Sequence, residues 1–66
     1  MLIQKVGETA GLIWLALESQ GPLKMMALKK QLKTNDTVLH MALGWLARED
    51  KIEMTATGRT FLVQLK

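Results

Sequence analysis

The chain has no cysteine, no tyrosine, one phenylalanine, one histidine and one proline among its 66 residues. Without cysteine, neither a disulfide nor a thiolate zinc site can staple the core. One histidine, with no two carboxylates paired on a common apolar face, leaves little material for acid–base, nucleophilic or metal chemistry. The glycines at positions 7, 11 and 21 do not follow the spacing of a phosphate-cradling loop. The sequence therefore predicts no enzyme, no cofactor and no metal. The longest apolar run, Gly11–Leu17, falls far short of the ~20 residues that span a bilayer. Met1–Gln20 lacks a basic start before its apolar stretch and a small-residue cleavage site after it, so no secretory signal is expected. These absences predict a soluble, cytoplasmic chain forming one domain over residues 1–66. A domain of this size buries only about 60% of its unfolded surface, so it needs nearly every apolar residue it has, or a partner.

The formal charge is +3, and its distribution says more than its total. Residues 1–20 carry Lys5 against Glu8 and Glu18, while residues 21–34 carry Lys24, Lys29, Lys30 and Lys33 with no acid. Residues 35–53 set Arg48 and Lys51 against Asp36, Glu49, Asp50 and Glu53; Arg59 and Lys66 complete the balance. Positive charge is thus concentrated in the second quarter of the chain and at its end.

Apolar periodicity predicts three helices. In the first, about Ile3 to Gln20, Ile3, Val6, Ala10, Ile13, Trp14 and Leu17 share one stripe at 3.6-residue spacing. Leu12 and Leu15 fall on the opposite face among Lys5, Glu8 and Ser19, where they offer a contact for a homodimer. Gly21 supplies a residue tolerant of positive φ past the helix end, and Pro22 prevents continuation. Pro22–Lys24 is predicted extended, bridging to a hairpin near the end of the chain. The second helix, about Met25 to Leu32, turns Met25, Leu28 and Leu32 inward and Met26, Lys29, Lys30 and Lys33 outward. Thr34-Asn35-Asp36 breaks the chain with side chains that cap the next helix. The third helix, about Asp36 to Glu49, gathers Val38, Leu39, Ala42, Leu43, Trp45 and Leu46 in one arc. Its other side carries Asp36, Thr37, His40, Met41, Gly44, Ala47 and Arg48. Trp14 and Trp45 are expected as core anchors, one on each long helix. Gly44 in mid-helix costs ~1 kcal/mol against alanine.

A β-hairpin follows from parity. Ile52 and Met54 alternate with Glu53 and Thr55, and Phe61, Val63 and Leu65 alternate with Thr60, Leu62 and Gln64. An even loop puts both apolar sets on one face. The expected loop is Ala56–Arg59 with Gly58 at positive φ, which opposes Met54 to Phe61 and Ile52 to Val63.

The run Val38…Ala42-Leu43…Leu46-Ala47-Arg48-Glu49-Asp50-Lys51-Ile52-Glu53 resembles the junction of the winged helix family. There a recognition helix ends and an apolar residue opens the first wing strand. The resemblance covers nearly the whole chain and implies a winged helix-turn-helix, mostly α with a small antiparallel sheet: three helices plus a β-hairpin wing. More narrowly, GETAG at Gly7–Gly11 with Trp14, and MALGWLARE at Met41–Glu49, are similar to short stand-alone prokaryotic winged helix-turn-helix proteins catalogued chiefly as of unknown function. Asp50 stands where that family commonly has glycine, a substitution the turn tolerates because aspartate accepts left-handed backbone.

For function, the resemblance implies a small module of the transcription-regulator kind that binds double-stranded DNA; because one such domain offers little contact area, it is expected to act as a dimer. By the family's docking, Asn35, Thr37, His40, Met41 and Gly44 face the bases. Lys29, Lys30 and Lys33 contact phosphates from the second helix, and Arg59 at the wing tip reaches minor groove or backbone. Base reading draws on paired hydrogen bonds from asparagine, glutamine or arginine, and this helix offers Asn35 alone. The grip is therefore expected to be mainly electrostatic. A second expectation is a protein-interaction or assembly domain without DNA binding, using the flat strip of Met41, Gly44 and Ala47 on the outer face of the third helix, with Leu62 exposed on the wing.

Overall fold

The computed structural model describes residues 2–66. The chain runs α1 (Leu2–Gln20), β1 (Leu23–Lys24), α2 (Met25–Leu32), α3 (Asp36–Arg48), β2 (Ile52–Thr57) and β3 (Thr60–Leu65). The three strands form one antiparallel sheet in the order β1-β3-β2. Each expected element is present, and the helix boundaries lie within a residue or so of the sequence reading. The two-residue bridge also forms, pairing Leu23 with Val63 and Lys24 with Leu62.

Local chemistry sets each boundary. Gly21 ends α1 at φ 82°, its N–H donating to the Leu17 carbonyl at 2.9 Å. Asn35 caps α3, its Oδ1 accepting from the Val38 N–H at 2.8 Å. Lys33 closes α2 in the left-handed region at φ 50°, a conformation the sequence did not flag. Asp50 occupies the same region at φ 61°, as the helix-to-wing turn requires. The Asp50 N–H donates to Ala47 and the Lys51 N–H to Leu46, both at 3.0 Å, which satisfies carbonyls at the end of α3. Lys66 ties the chain end back to this turn, through its N–H to the Lys51 carbonyl and an ion pair with Asp50.

The core lies where α1, α2 and α3 meet the base of the sheet. Val6, Ala10, Ile13 and Leu17 of α1 pack with Leu28 of α2, with Leu39, Ala42, Leu43 and Leu46 of α3, and with Ile52 and Val63. Ile13, Leu28, Leu39, Leu43 and Val63 are sealed from solvent. At about 25 cal/mol per Å² of buried apolar surface, these few side chains supply most of the stability such a small domain can muster.

Three expectations are corrected. The loop is Gly58-Arg59, not Ala56–Arg59, because Thr57 pairs with Thr60. Ile52 therefore opposes Leu65, Met54 opposes Val63 and Ala56 opposes Phe61, two residues from the expected register. The apolar faces stay together, since a two-residue slide preserves parity. Gly58 at φ 60° fills the first loop position, where a tight two-residue hairpin turn takes glycine, and the ladder runs to six pairs. Second, Trp14 and Trp45 are not core anchors: they remain 38% and 44% exposed. Each sits at the margin of its helix's apolar arc, where the neighbouring elements leave it open to solvent. Third, Ile3 is 68% exposed although it belongs to the apolar stripe of α1. It lines the same open depression as Gly44, which contributes no side chain to fill it.

Candidate functional site

Helix α2 is only eight residues long, so its one buried residue, Leu28, fixes how it is rotated. With Leu28 inward, Lys29 and Lys30 are exposed, and the left-handed turn at Lys33 leaves that side chain exposed beside them. Helix α3 starts immediately after, and an open hollow of about 570 Å³ separates the two. Met25 and Leu39 form its floor; Lys29, Lys30, Lys33 and His40 stand on its rim. Four of the expected DNA-contacting residues are therefore brought together here.

The cationic rim is not uniform. Lys29 Nζ lies 2.8 Å from Asp36 Oδ1, with both side chains at least half exposed. The hydrogen bond and charge of Lys29 hold the Asp36 carboxyl below the usual carboxylate value, with a small further contribution from His40. Asp36 thus draws one lysine away from any incoming anion. Lys30 and Lys33, in contrast, have no carboxylate within ion-pairing distance among the described residues. Arg59 is likewise without an acidic partner, at the exposed tip of the β2–β3 hairpin.

The other expected residues separate from this group. Asn35 is exposed, but its Oδ1 is engaged as the α3 cap, so its amide is not free for a paired contact with adenine. Thr37 is exposed on the first turn of α3 and lines neither hollow. Met41 and Gly44 line a different depression of about 320 Å³, together with Ile3, Val6, Trp45 and Arg48. Ala47 is exposed outside it. A roomier hollow, about 780 Å³, is elsewhere again, between α1 and the end of α3. Gly7, Gly11, Trp14 and Leu15 form one side of it and Trp45 the other, with Glu8, Glu49 and Lys51 at its edge.

The sequence reading missed Met25 and Leu39 as the floor of the lysine hollow, and the pairing of Trp14 with Trp45 across a groove. The first was visible only as core periodicity. The second had a signal, because both tryptophans lie beside helix-interior glycines in the two quoted motifs. Among the described residues no three His, Cys, Asp or Glu side chains gather as metal ligands. What the α2–α3 hollow can do is attract an anion. No helix among the described residues is long and apolar enough to cross a membrane.

Three helices closed by a three-stranded sheet, with a short α2 leading into an exposed α3 and a protruding hairpin, define a winged helix-turn-helix domain. The chain belongs to a family described as a winged helix-turn-helix domain (DUF2582), whose model matches residues 1–65. It is also similar to the uncharacterized protein MJ1608 of Methanocaldococcus jannaschii, 40% identical over 65 residues that cover 94% of this chain and 91% of the relative.

Proposed function

We propose that the domain is a regulatory module that binds double-stranded DNA by a largely electrostatic grip. Lys30 and Lys33 make the main phosphate contacts, Lys29 contributes in part, and Arg59 reaches the neighbouring groove or backbone from the hairpin tip. The observation that carries this reading is the uncompensated cationic pair Lys30 and Lys33, set against the exposed start of α3. Phosphate contacts provide most of the affinity of such modules, and they need only cations at the right height above the duplex. Thr37 and His40 are the side chains of α3 left to meet base edges. Neither has the paired donor and acceptor that reads one base against the others, so sequence preference should be shallow.

Duplex binding followed by fluorescence anisotropy at several salt concentrations tests the proposal. With three to four phosphate contacts, log K should fall against log salt with a slope of about −3. Lys30→Glu with Lys33→Glu should abolish binding at moderate salt while the helical circular dichroism is unchanged. Wild-type protein that ignores mixed-sequence duplex at low salt refutes the reading.

The apolar depression at Met41, Gly44 and Trp45 favours a second use of the molecule, as a protein-interaction surface.

A further inference from the structure

We infer that the groove flanked by Trp14 and Trp45 is the seat of a second copy of this chain, so that the domain pairs through α1 and the end of α3. The surface is apolar and continuous: Trp45 borders both the 780 Å³ groove and the 320 Å³ depression beside it. Ile3, Leu12, Leu15, Met41 and the two tryptophans are between 38% and 68% exposed along it. Together they present roughly 600 Å² of apolar surface, at the upper limit of what a monomer usually leaves uncovered. A standard interface buries about 800 Å² on each partner, of which some 65% is apolar in homodimers, so this patch supplies the apolar share.

The glycines give an independent reason. Gly7, Gly11 and Gly44 lie inside helices, where glycine is less favourable than alanine. None is at positive φ, and a Cβ at each would meet nothing within 4 Å. Packing within the single chain therefore does not call for them, whereas close approach of a second backbone does. The rim says which partner fits. Glu8 and Glu49 are matched by Arg48 and Lys51, so the edge carries both signs in balance. A two-fold axis brings the acids of one copy to the bases of the other, the self-complementarity an isologous contact needs. With no net charge, this edge offers phosphate no electrostatic attraction, in contrast to the lysine hollow.

Pairing here covers Met41 and Gly44 and leaves the lysine hollow open, since the two hollows share no lining residue. It also differs from a contact through Leu12 and Leu15 alone, because it places both tryptophans at its centre.

Analytical ultracentrifugation without DNA, together with tryptophan emission, tests the inference. Wild-type protein should sediment at twice the 7.4 kDa chain mass at high concentration. Dilution should release monomer with emission moved to the red. Ile3→Glu with Leu15→Glu, both at exposed positions, should weaken pairing at least tenfold with helix content retained; Lys30→Glu with Lys33→Glu should pair as the wild type does. Wild-type monomer at every concentration overturns the inference, and so does a dimer indifferent to Ile3→Glu with Leu15→Glu. A monomer whose emission moves to the blue with phosphatidylglycerol vesicles, or with duplex DNA, gives the face to that partner and equally overturns it.

Discussion

At the scale of single residues, the start of α3 shows how one side chain is committed to structure and another works against the proposed ligand. Asn35 is the sole residue there with base-reading chemistry, and it holds the Val38 N–H instead. Asp36 favours the helix through its position at the positive end of the macrodipole, yet it neutralises Lys29. Asp36→Asn removes one negative charge and frees Lys29. Duplex affinity should then rise severalfold and the salt slope should steepen by about one, as read by anisotropy. An affinity unchanged or lowered would show that Lys29 does not face the duplex. The pair also has a pH signature. Because the folded-state value of Asp36 lies below its unfolded value, its contribution is fully present above the ordinary carboxylate range. It is lost as pH falls through the lowered value, below about pH 4. Both side chains are exposed enough that solvent screens the effect, so it adjusts acid stability only slightly.

At the scale of elements, backbone conformation at two junctions decides how the pieces meet. Gly58 at φ 60° closes the hairpin in two residues, and Lys33 at φ 50° turns the chain between α2 and α3. A side chain in the left-handed region costs roughly 1–2 kcal/mol, which glycine avoids. The two positions should therefore respond oppositely. Gly58→Ala should lower stability by about 1 kcal/mol, and Lys33→Gly should raise it by about 0.5–1 kcal/mol while weakening duplex binding. Urea unfolding at matched protein concentration checks both signs. The hairpin also shows what periodicity leaves open. Alternation of Ile52, Met54, Phe61, Val63 and Leu65 requires one shared face, a condition met by any register that differs by two residues. The choice between them fell to the turn, where glycine in the first of two loop positions favours the tighter closure. Helices α2 and α3 were legible to within a residue because Leu28 and the arc from Val38 to Leu46 have unambiguous spacing, and because Asn35 is a strong cap.

At the scale of the whole molecule, a small core supports two separate surfaces. The core has little to spare: a domain of this length is stable by about 3–10 kcal/mol. Ile13 is fully buried between α1 and the elements it packs against, so Ile13→Ala should cost 2–5 kcal/mol and leave the chain partly or wholly unfolded at room temperature. A urea midpoint shifted by less than half of that loss would show that the core can collapse around the gap. The lysine hollow lies between α2 and α3, whereas the tryptophan groove lies between α1 and the end of α3. The proposed duplex binding and the proposed pairing should therefore respond to separate sets of substitutions. The sequence by itself determined the order of the elements, the helix boundaries and most of the residues that pack the centre, because helical and strand periods, caps and breakers act over a few residues. It also placed the lysines on the outside of α2. Only the tertiary structure decided that Trp14 and Trp45 stay half out of the core, that Ile3 is uncovered, and that Met41 and Gly44 part company with the lysines. Those outcomes depend on how far one helix extends beside another and on which flank it presents. Neither is contained in the period of a single helix, so residues on the margin of an apolar arc can be assigned inside or outside only when the neighbour is in place.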